Sequence, residues 1–426
     1  MIAKRTRSAA TKSTSHNKSN TFAMDIVGSN VDDDNNLLSS RRRKYLILAL
    51  MLKRKQLFRN KLNEEGRKRR CRNIPRNSLT PPTKSAWHTL YSSGDDGALI
   101  TVTGFDHATF KHILDIFTPF FEGYTPWIGK DTADGLKFRK VRADERRGRK
   151  RLVTATSCLG LVLAWYRFRG GEFILQGWFG FTGGHTNIWL RFGRRMLLKS
   201  LIDQQDAIVK LPTAEEIAFC QEAISKRHSS LEKVYCFADG LKLPFQSCDG
   251  LTEQSMFYNG WTHGHYVTNL FVFSAKGKII DAVINVPGSV HDSTLAVWGG
   301  TYKKLKRIFD ETGGICAVDS AFAARNAPYL IRSGKDFTEA NSAAEMVKMK
   351  EATSLRQAAE WEMRAIQGSM PRLKDPLEYE EKGERKRIIK LIPILYNIRL
   401  ERVGLNQIAN TYVPNWSRDS RYYIKK

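Results

Sequence analysis

The sequence predicts a mixed α/β fold preceded by a helical region and a basic arm, and three observations lead there. After residue 230 the apolar runs turn short and β-branched: "KVYCFA" (233–238), "YVTNLFVFSA" (266–275), "KIIDAVINV" (278–286) and "GICAVD" (314–319) read as strands. Residues 292–309 and 341–366, by contrast, have the spacing of helices. Upstream, helical spacing prevails over 100–228, while the first 90 residues hold 21 Lys and Arg against 6 Asp and Glu. At 426 residues with 42% hydrophobic content, the chain can bury a sizeable core. Its formal net charge of +26 suits a polyanionic partner.

Residues 1–90 form the arm. Positions 1–40 are polar and low in aromatics, and are expected to be disordered. Between Arg41 and Arg72 stand 14 basic residues with "YLILALML" (45–52) among them, which predicts a basic amphipathic helix. "RRRK" (41–44) and "RKRR" (67–70) fit nuclear-import signals, so the nucleus is the expected location. The acid-free first 20 residues also fit an organelle transit peptide. No apolar run there is long enough to span a bilayer, and no membrane partner is expected. "LTPPTKS" (79–85) reads as a linker.

In the helical region, Phe110, Ile113, Leu114, Phe117 and Phe120 lie near helical spacing. A basic loop, "KFRKVRADERRGRKR" (137–151), and a Gly-terminated helix, "LVTATSCLGLVLAWYRFRGG" (152–171), follow. "EFILQGWFGF" and "TGGHTNIWLRFGRRMLLKSL" (172–201) then give short helix, glycine turn, second helix, the grammar of a helix-turn-helix. Arg191, Arg194, Arg195 and Lys199 along the second helix are its candidate DNA contacts. Any helical domain contains Gly-joined helix pairs, so the spacing alone does not establish DNA reading.

Within the α/β core, the second and third strands are joined by the tight turn "AKGK" (275–278), and the tail at 387–409 is expected to be helical with a break at Pro393. Asp239 follows the first strand and Asp319 the fourth, so their carboxylates converge if those strands are neighbours. Glu360 lies on the following helix, where it can point toward the same edge. Hard oxygen ligands on separate elements suit Mg²⁺ or Mn²⁺, ions that activate a nucleophile and stabilise the leaving oxygen of a phosphodiester. An Asp after a strand is also a common turn or helix cap. Of the neighbours, His291 reads as a turn or supporting residue, Asp281 as a solvent-facing mid-strand residue and Asp249 as a turn residue. His263 and His265 lack the second pair that a zinc site needs. The six cysteines (Cys71, Cys158, Cys220, Cys236, Cys248, Cys316) form no CxxC pair and read as reduced thiols.

Four stretches, "FADGLKLPFQ", "YNGWTHGHYVTNLFVFSAKGKIIDAVINVPGSVHDSTL", "AVDSAFAA" and "LRQAAEWEMRAIQGSMPRLK", together resemble the DDE-type nuclease domain of PIF/Harbinger-like transposases. The likeness covers roughly 230–410, and the helical region resembles the helix-turn-helix segment that precedes this domain. It implies an RNase H-like fold and a divalent-metal DNA endonuclease or transposase. The motif acids fall on Asp239, Asp292, Asp319 and Glu360, all four as metal ligands, with Asp239, Asp319 and Glu360 catalytic. Asp292 in "PGSVHDS" has a second explanation, as the cap of the helix that begins there. The family often has "ERxFG" where this chain has "EWEMRAIQG", which makes Glu362 a rival of Glu360. The resemblance further implies DNA as partner, and for some members a separate Myb-like DNA-binding protein; a second copy of the chain is a further candidate. A domesticated protein that binds DNA without cutting is the competing function, and a phosphatase or RNase on small substrates is disfavoured by the charge.

Overall fold

The computed structural model describes residues 46, 48–61, 74–130, 137–141, 151–247, 250–322, 327–333, 342–379 and 381–404. The expectations for residues 1–40, both import signals, Asp249 and the end of the tail lie outside these. The chain divides into two compact units, 1–71 and 72–426. In the first, a helix α1 (48–61) forms where the basic apolar stretch predicts one. Leu48, Leu50, Met51, Leu52, Leu57 and Phe58 on it are exposed.

The second unit begins with helices whose starts are written in the sequence by capping side chains. Ser85 caps α2 (Ala86–Ser93), Asp95 caps α3 (Asp96–Thr103), and Asp106 caps α4 (His107–Gly123). Phe110, Ile113, Phe117 and Phe121 of α4 are buried, while Leu114 and Phe120 are half-buried at the edge of the stripe. The expected linker is not one. A side chain on Gly180 would meet the Thr80 carbonyl at 2.2 Å, so this stretch packs on the protein instead of spanning open space. Part of the expected basic loop is a strand: β2 (Lys137–Lys140) pairs antiparallel with β1 (Tyr124–Lys130).

Helices α5 (Ala155–Arg167), α6 (Phe173–Phe179) and α7 (Gly183–Leu201) follow the expected order, with Gly180 supplying the positive φ of 70° that ends α6. The surface of α7 departs from the reading of it as a recognition helix. It packs against α4, α5 and α13 (Lys382–Arg402), and buries Trp189, Leu190, Phe192, Arg194, Met196 and Leu197. Arg194 is only 4% exposed. Its Nη1 donates to Glu384 at 2.9 Å, and its guanidinium lies 3.9 Å from the Trp165 ring centre. Such a side chain cannot reach a phosphate without unpacking the protein, so Arg194 is withdrawn as a DNA contact. Arg191 is paired with Glu381, Arg195 stands 6.0 Å over Phe138, and Lys199 donates to the Tyr124 hydroxyl at 2.6 Å. Among the described residues no helix is long and apolar enough to cross a membrane.

The α/β core is a mixed sheet in the order β6–β5–β3–β7–β8. Its strands are β3 (Val234–Pro244), β5 (Gly264–Ser274), β6 (Ile279–Pro287), β7 (Ile315–Val318) and β8 (Leu330–Arg332), and β4 (Tyr258–Asn259) pairs with the start of β5. The first three long strands form an antiparallel meander; β3, β7 and β8 run parallel. The β5–β6 turn closes where "AKGK" predicts it, with Gly277 at φ 80°. Five consecutive buried residues, Val234–Ala238, mark β3 as the central strand, and α8 (Ala214–Ser225) and α12 (Ala343–Ser369) both pack on it.

Several details differ from the sequence reading. β3 does not stop before Asp239 but continues five residues past it to Pro244, because its hairpin with β5 keeps supplying hydrogen bonds. The segment 292–309 is two helices, α10 (Asp292–Trp298) and α11 (Thr301–Thr312), split at Gly299 and Gly300. α13 runs through Pro393 unbroken, with the Pro itself buried. Asp281 faces inward: it accepts from Thr301 Oγ1 at 2.8 Å and from Lys304 Nζ at 2.6 Å, tying β6 to α11.

Arg194→Gln removes one buried donor from Glu384, which keeps Arg387 at 3.0 Å, together with the packing on Trp165, so it should lower stability by about 2 kcal/mol in urea unfolding. DNA affinity per folded molecule should stay unchanged; a stable variant with weakened DNA binding would restore Arg194 as a contact.

Candidate active site

The parallel pairing of β3 with β7 sets Ala238 opposite Val318, which brings the next residue of each strand, Asp239 and Asp319, abreast. Asp239 remains in the sheet, opposite Phe271 of β5. Asp319 comes just past the last residue of β7, where its Oδ1 accepts from the Ser320 backbone N–H at 2.6 Å. Asp239 Oδ1 likewise accepts from the Gly240 N–H at 2.8 Å.

Asp292 arrives from another direction. It is the first residue of α10, and the cap of that helix is His291, whose Nδ1 accepts from the Ser293 N–H at 3.4 Å. The capping explanation of Asp292 therefore falls to its neighbour, and the Asp292 carboxylate is left to face β3. A methyl group on Gly240 would sit 3.0 Å from Asp292 Oδ1, so the carboxylate lies directly over the glycine backbone. Gly240 is thus the residue that lets Asp292 approach Asp239.

Glu360 stands one helical turn from Arg356 on α12. Arg356 Nη2 donates to Glu360 Oε1 at 2.7 Å, and its Nη1 lies 3.5 Å from Asp319 Oδ2. The helix side of the site is therefore tied to the sheet side by one guanidinium. Glu362 points elsewhere. It is 1% exposed within the core side of α12, and its Oε2 has no hydrogen-bond partner. Geometry favours Glu360 over Glu362 as the acid that faces the aspartates. Of the two histidines weighed for zinc, His263 has its Nδ1 3.5 Å from the Tyr258 hydroxyl.

Electrostatics follow from this crowding. Burial pushes the Asp239 carboxyl up to about 6; the Gly240 N–H and the Arg356 charge pull down, and the neighbouring Asp319 and Asp292 carboxylates push further up. The Asp292 carboxyl is also raised, by burial first and by Asp319 in addition, against the pull of Lys242 and His291. Asp239 and Asp292, whose ionisation burial and the nearby carboxylates oppose, form with Asp319 a site that a cation stabilises. Among the described residues no group of three or more His, Cys, Asp or Glu side chains is arranged as the ligands of one ion. The donor chemistry nevertheless fits a hard divalent cation: oxygen ligands only, on separate elements, with like charge that Arg356 and Lys242 offset only in part.

Arg356, Gly240 and Lys242 are the site residues that the sequence reading did not assign. Arg356 was visible as the residue four before Glu360, and Lys242 as the cation of "DGLK", but neither spacing reveals which acid each would meet.

Once assembled, this is a mixed α/β domain whose sheet and two flanking helices deliver acidic side chains to one place. Residues 238–397 match the family model for the DDE superfamily endonuclease, a span that begins at Ala238, ends on α13 and contains all four acids. The curled mixed sheet is consistent with such a nuclease domain. Neither a curated protein nor a solved structure matches the chain.

The buried Glu362 gives a test of its exclusion from the site. Burial raises its carboxyl to about 8, so the folded protein keeps it neutral where the unfolded chain ionises it. That difference costs stability progressively as pH rises from about 4.5 to 8. Glu362→Gln should therefore stabilise the protein by on the order of 3 kcal/mol at pH 8 and by nothing below pH ~4.5. Thermal unfolding across that range, with Mn²⁺ binding unchanged, is the expected outcome; lost Mn²⁺ binding would make Glu362 a ligand.

Proposed function

We propose that this protein is a divalent-metal-dependent DNA endonuclease of the transposase type, with motifs that resemble those of the PIF/Harbinger-like group. The observation that carries the reading is the side-by-side placement of Asp239 and Asp319 on parallel neighbouring strands, with Asp292 and Glu360 facing them. Asp239 and Asp319 would hold Mg²⁺ or Mn²⁺, joined by Asp292 and by Glu360. The bound cation would supply the acidity that makes water, or a DNA 3′-hydroxyl in strand transfer, a nucleophile at neutral pH, and would neutralise charge on the phosphate.

The chain's own residues do the rest. Backbone N–H groups of Gly240 and Ser320 fix one oxygen of each aspartate. Lys242 offsets the charge of Asp292. The excess of Lys and Arg over acids steers the DNA backbone, with Arg195, Lys199, Arg191 and the basic arm as the proposed contacts. A nuclear location through "RRRK" and "RKRR", a Myb-like DNA-binding partner and a second copy of the chain complete the proposal.

One feature favours a second reading, a domesticated DNA-binding protein that does not cut: Arg356 already neutralises Asp319 and Glu360. Nicking of supercoiled DNA separates the two. The nuclease reading predicts Mg²⁺- or Mn²⁺-dependent nicking that EDTA stops and that Asp319→Asn lowers by more than about 100-fold, with DNA affinity retained. Nicking that survives both EDTA and the substitution would contradict the site, and DNA binding without nicking under all ions would favour the second reading.

A further inference from the structure

The position of Arg356 has a consequence for how the acids take up an ion. Asp319 Oδ1 is occupied, accepting from the Ser320 N–H at 2.6 Å and facing the Ser320 hydroxyl at 3.3 Å. The oxygen left for any further ligand is Oδ2, and that is the atom 3.5 Å from Arg356 Nη1. The same guanidinium holds Glu360 Oε1 at 2.7 Å through Nη2. Its charge is felt at Asp239 as well.

The two contacts differ in origin. Arg356 and Glu360 are four residues apart on α12, so helical geometry alone makes them neighbours. The reach from α12 to Asp319 crosses from helix to sheet and is set by tertiary packing. A planar guanidinium with several fixed donors can serve two carboxylates from different elements at once, which a single ammonium does less well. Arg356 thereby stands between the same pair of acids that the ion would join. Two cations cannot share those oxygens at contact distance, because like charges a few ångströms apart repel strongly in a half-buried setting.

We propose that Arg356 is a built-in counter-ion that a divalent cation displaces from Asp319 and Glu360, so that ion uptake is an exchange of a guanidinium for a metal and not a simple filling. The inference rests on the reading of Asp319 and Glu360 as ion-holding acids. Without an ion, Arg356 keeps helix and sheet acids together despite their mutual repulsion. With an ion, the guanidinium is released toward solvent, to which its side chain is already 24% open.

The test is Mn²⁺ binding to the full chain without DNA, followed by the paramagnetic signal of free Mn²⁺, for the wild type, Arg356→Gln, Arg356→Lys and Asp319→Asn. Removing the competing charge should tighten Mn²⁺ binding by about tenfold in Arg356→Gln. Arg356→Lys, which keeps the charge, should stay within about threefold of the wild type. Circular dichroism of both variants verifies the fold. Mn²⁺ affinity unchanged or weaker in Arg356→Gln, while Asp319→Asn still abolishes binding, would overturn the counter-ion role and leave the acid site standing. Mn²⁺ binding that persists in Asp319→Asn would instead overturn the acid site itself, and the exchange with it.

Discussion

The structure depends on one pairing: β3 and β7 run parallel with Ala238 opposite Val318. Parallel neighbours point their ends the same way, so residues that follow matched positions emerge on one edge. Antiparallel pairing of the same strands would have sent Asp239 and Asp319 to opposite ends of the sheet. The parallel arrangement requires a crossover between them, and the chain provides it through β5, β6, α10 and α11. That crossover also delivers Asp292, at the start of α10, back over Gly240. The register therefore positions two carboxylates, and the crossover a third, before any side-chain rotamer is chosen.

Gathering acids in this way opposes folding unless something offsets it. Asp239 and Asp292 are both driven toward the protonated form, chiefly by burial and further by the acids nearby. Offsetting charge comes from three directions: Arg356 on α12, Lys242 two residues beyond Gly240, and the backbone N–H groups of Gly240 and Ser320. These are modest contributions for partly exposed groups. The fold carries the remainder through its core, where Val234–Ala238 of β3 are buried and α12 packs Leu355, Ala358, Ala359 and Ile366 inward. The site is tolerated because the sheet behind it is well packed.

Much of this was legible in the sequence, for a reason that can be stated residue by residue. β-branched and aromatic runs at 234–238, 267–273 and 279–286 predict strands because a buried sheet selects them, and "AKGK" fixes the hairpin through one glycine with positive φ. Asp239, Asp292, Asp319 and Glu360 were nameable because each sits in a recognisable local stretch. Strand order was legible only in part: the "AKGK" hairpin pairs the third strand with the second, but nothing in the residues themselves says that the fourth strand lies beside the first. β8 was missed because three residues carry too little pattern. Arg194 was misread because a row of arginines on a helix resembles a phosphate-binding face, and only packing against Trp165 and Glu384 shows that one of them is interior. Asp281 failed the same way, since alternation puts it on a face whose burial is decided by α11.

The central claim is that Asp239 and Asp319 jointly hold a divalent ion. Crystals soaked in Mn²⁺ and measured at the manganese absorption edge test it most directly. An anomalous peak in contact with carboxylate oxygens of both Asp239 and Asp319, absent in Asp319→Asn crystals, is the result predicted. A well-ordered site with no peak between the two aspartates at saturating Mn²⁺, or a peak held by other residues alone, would contradict the account.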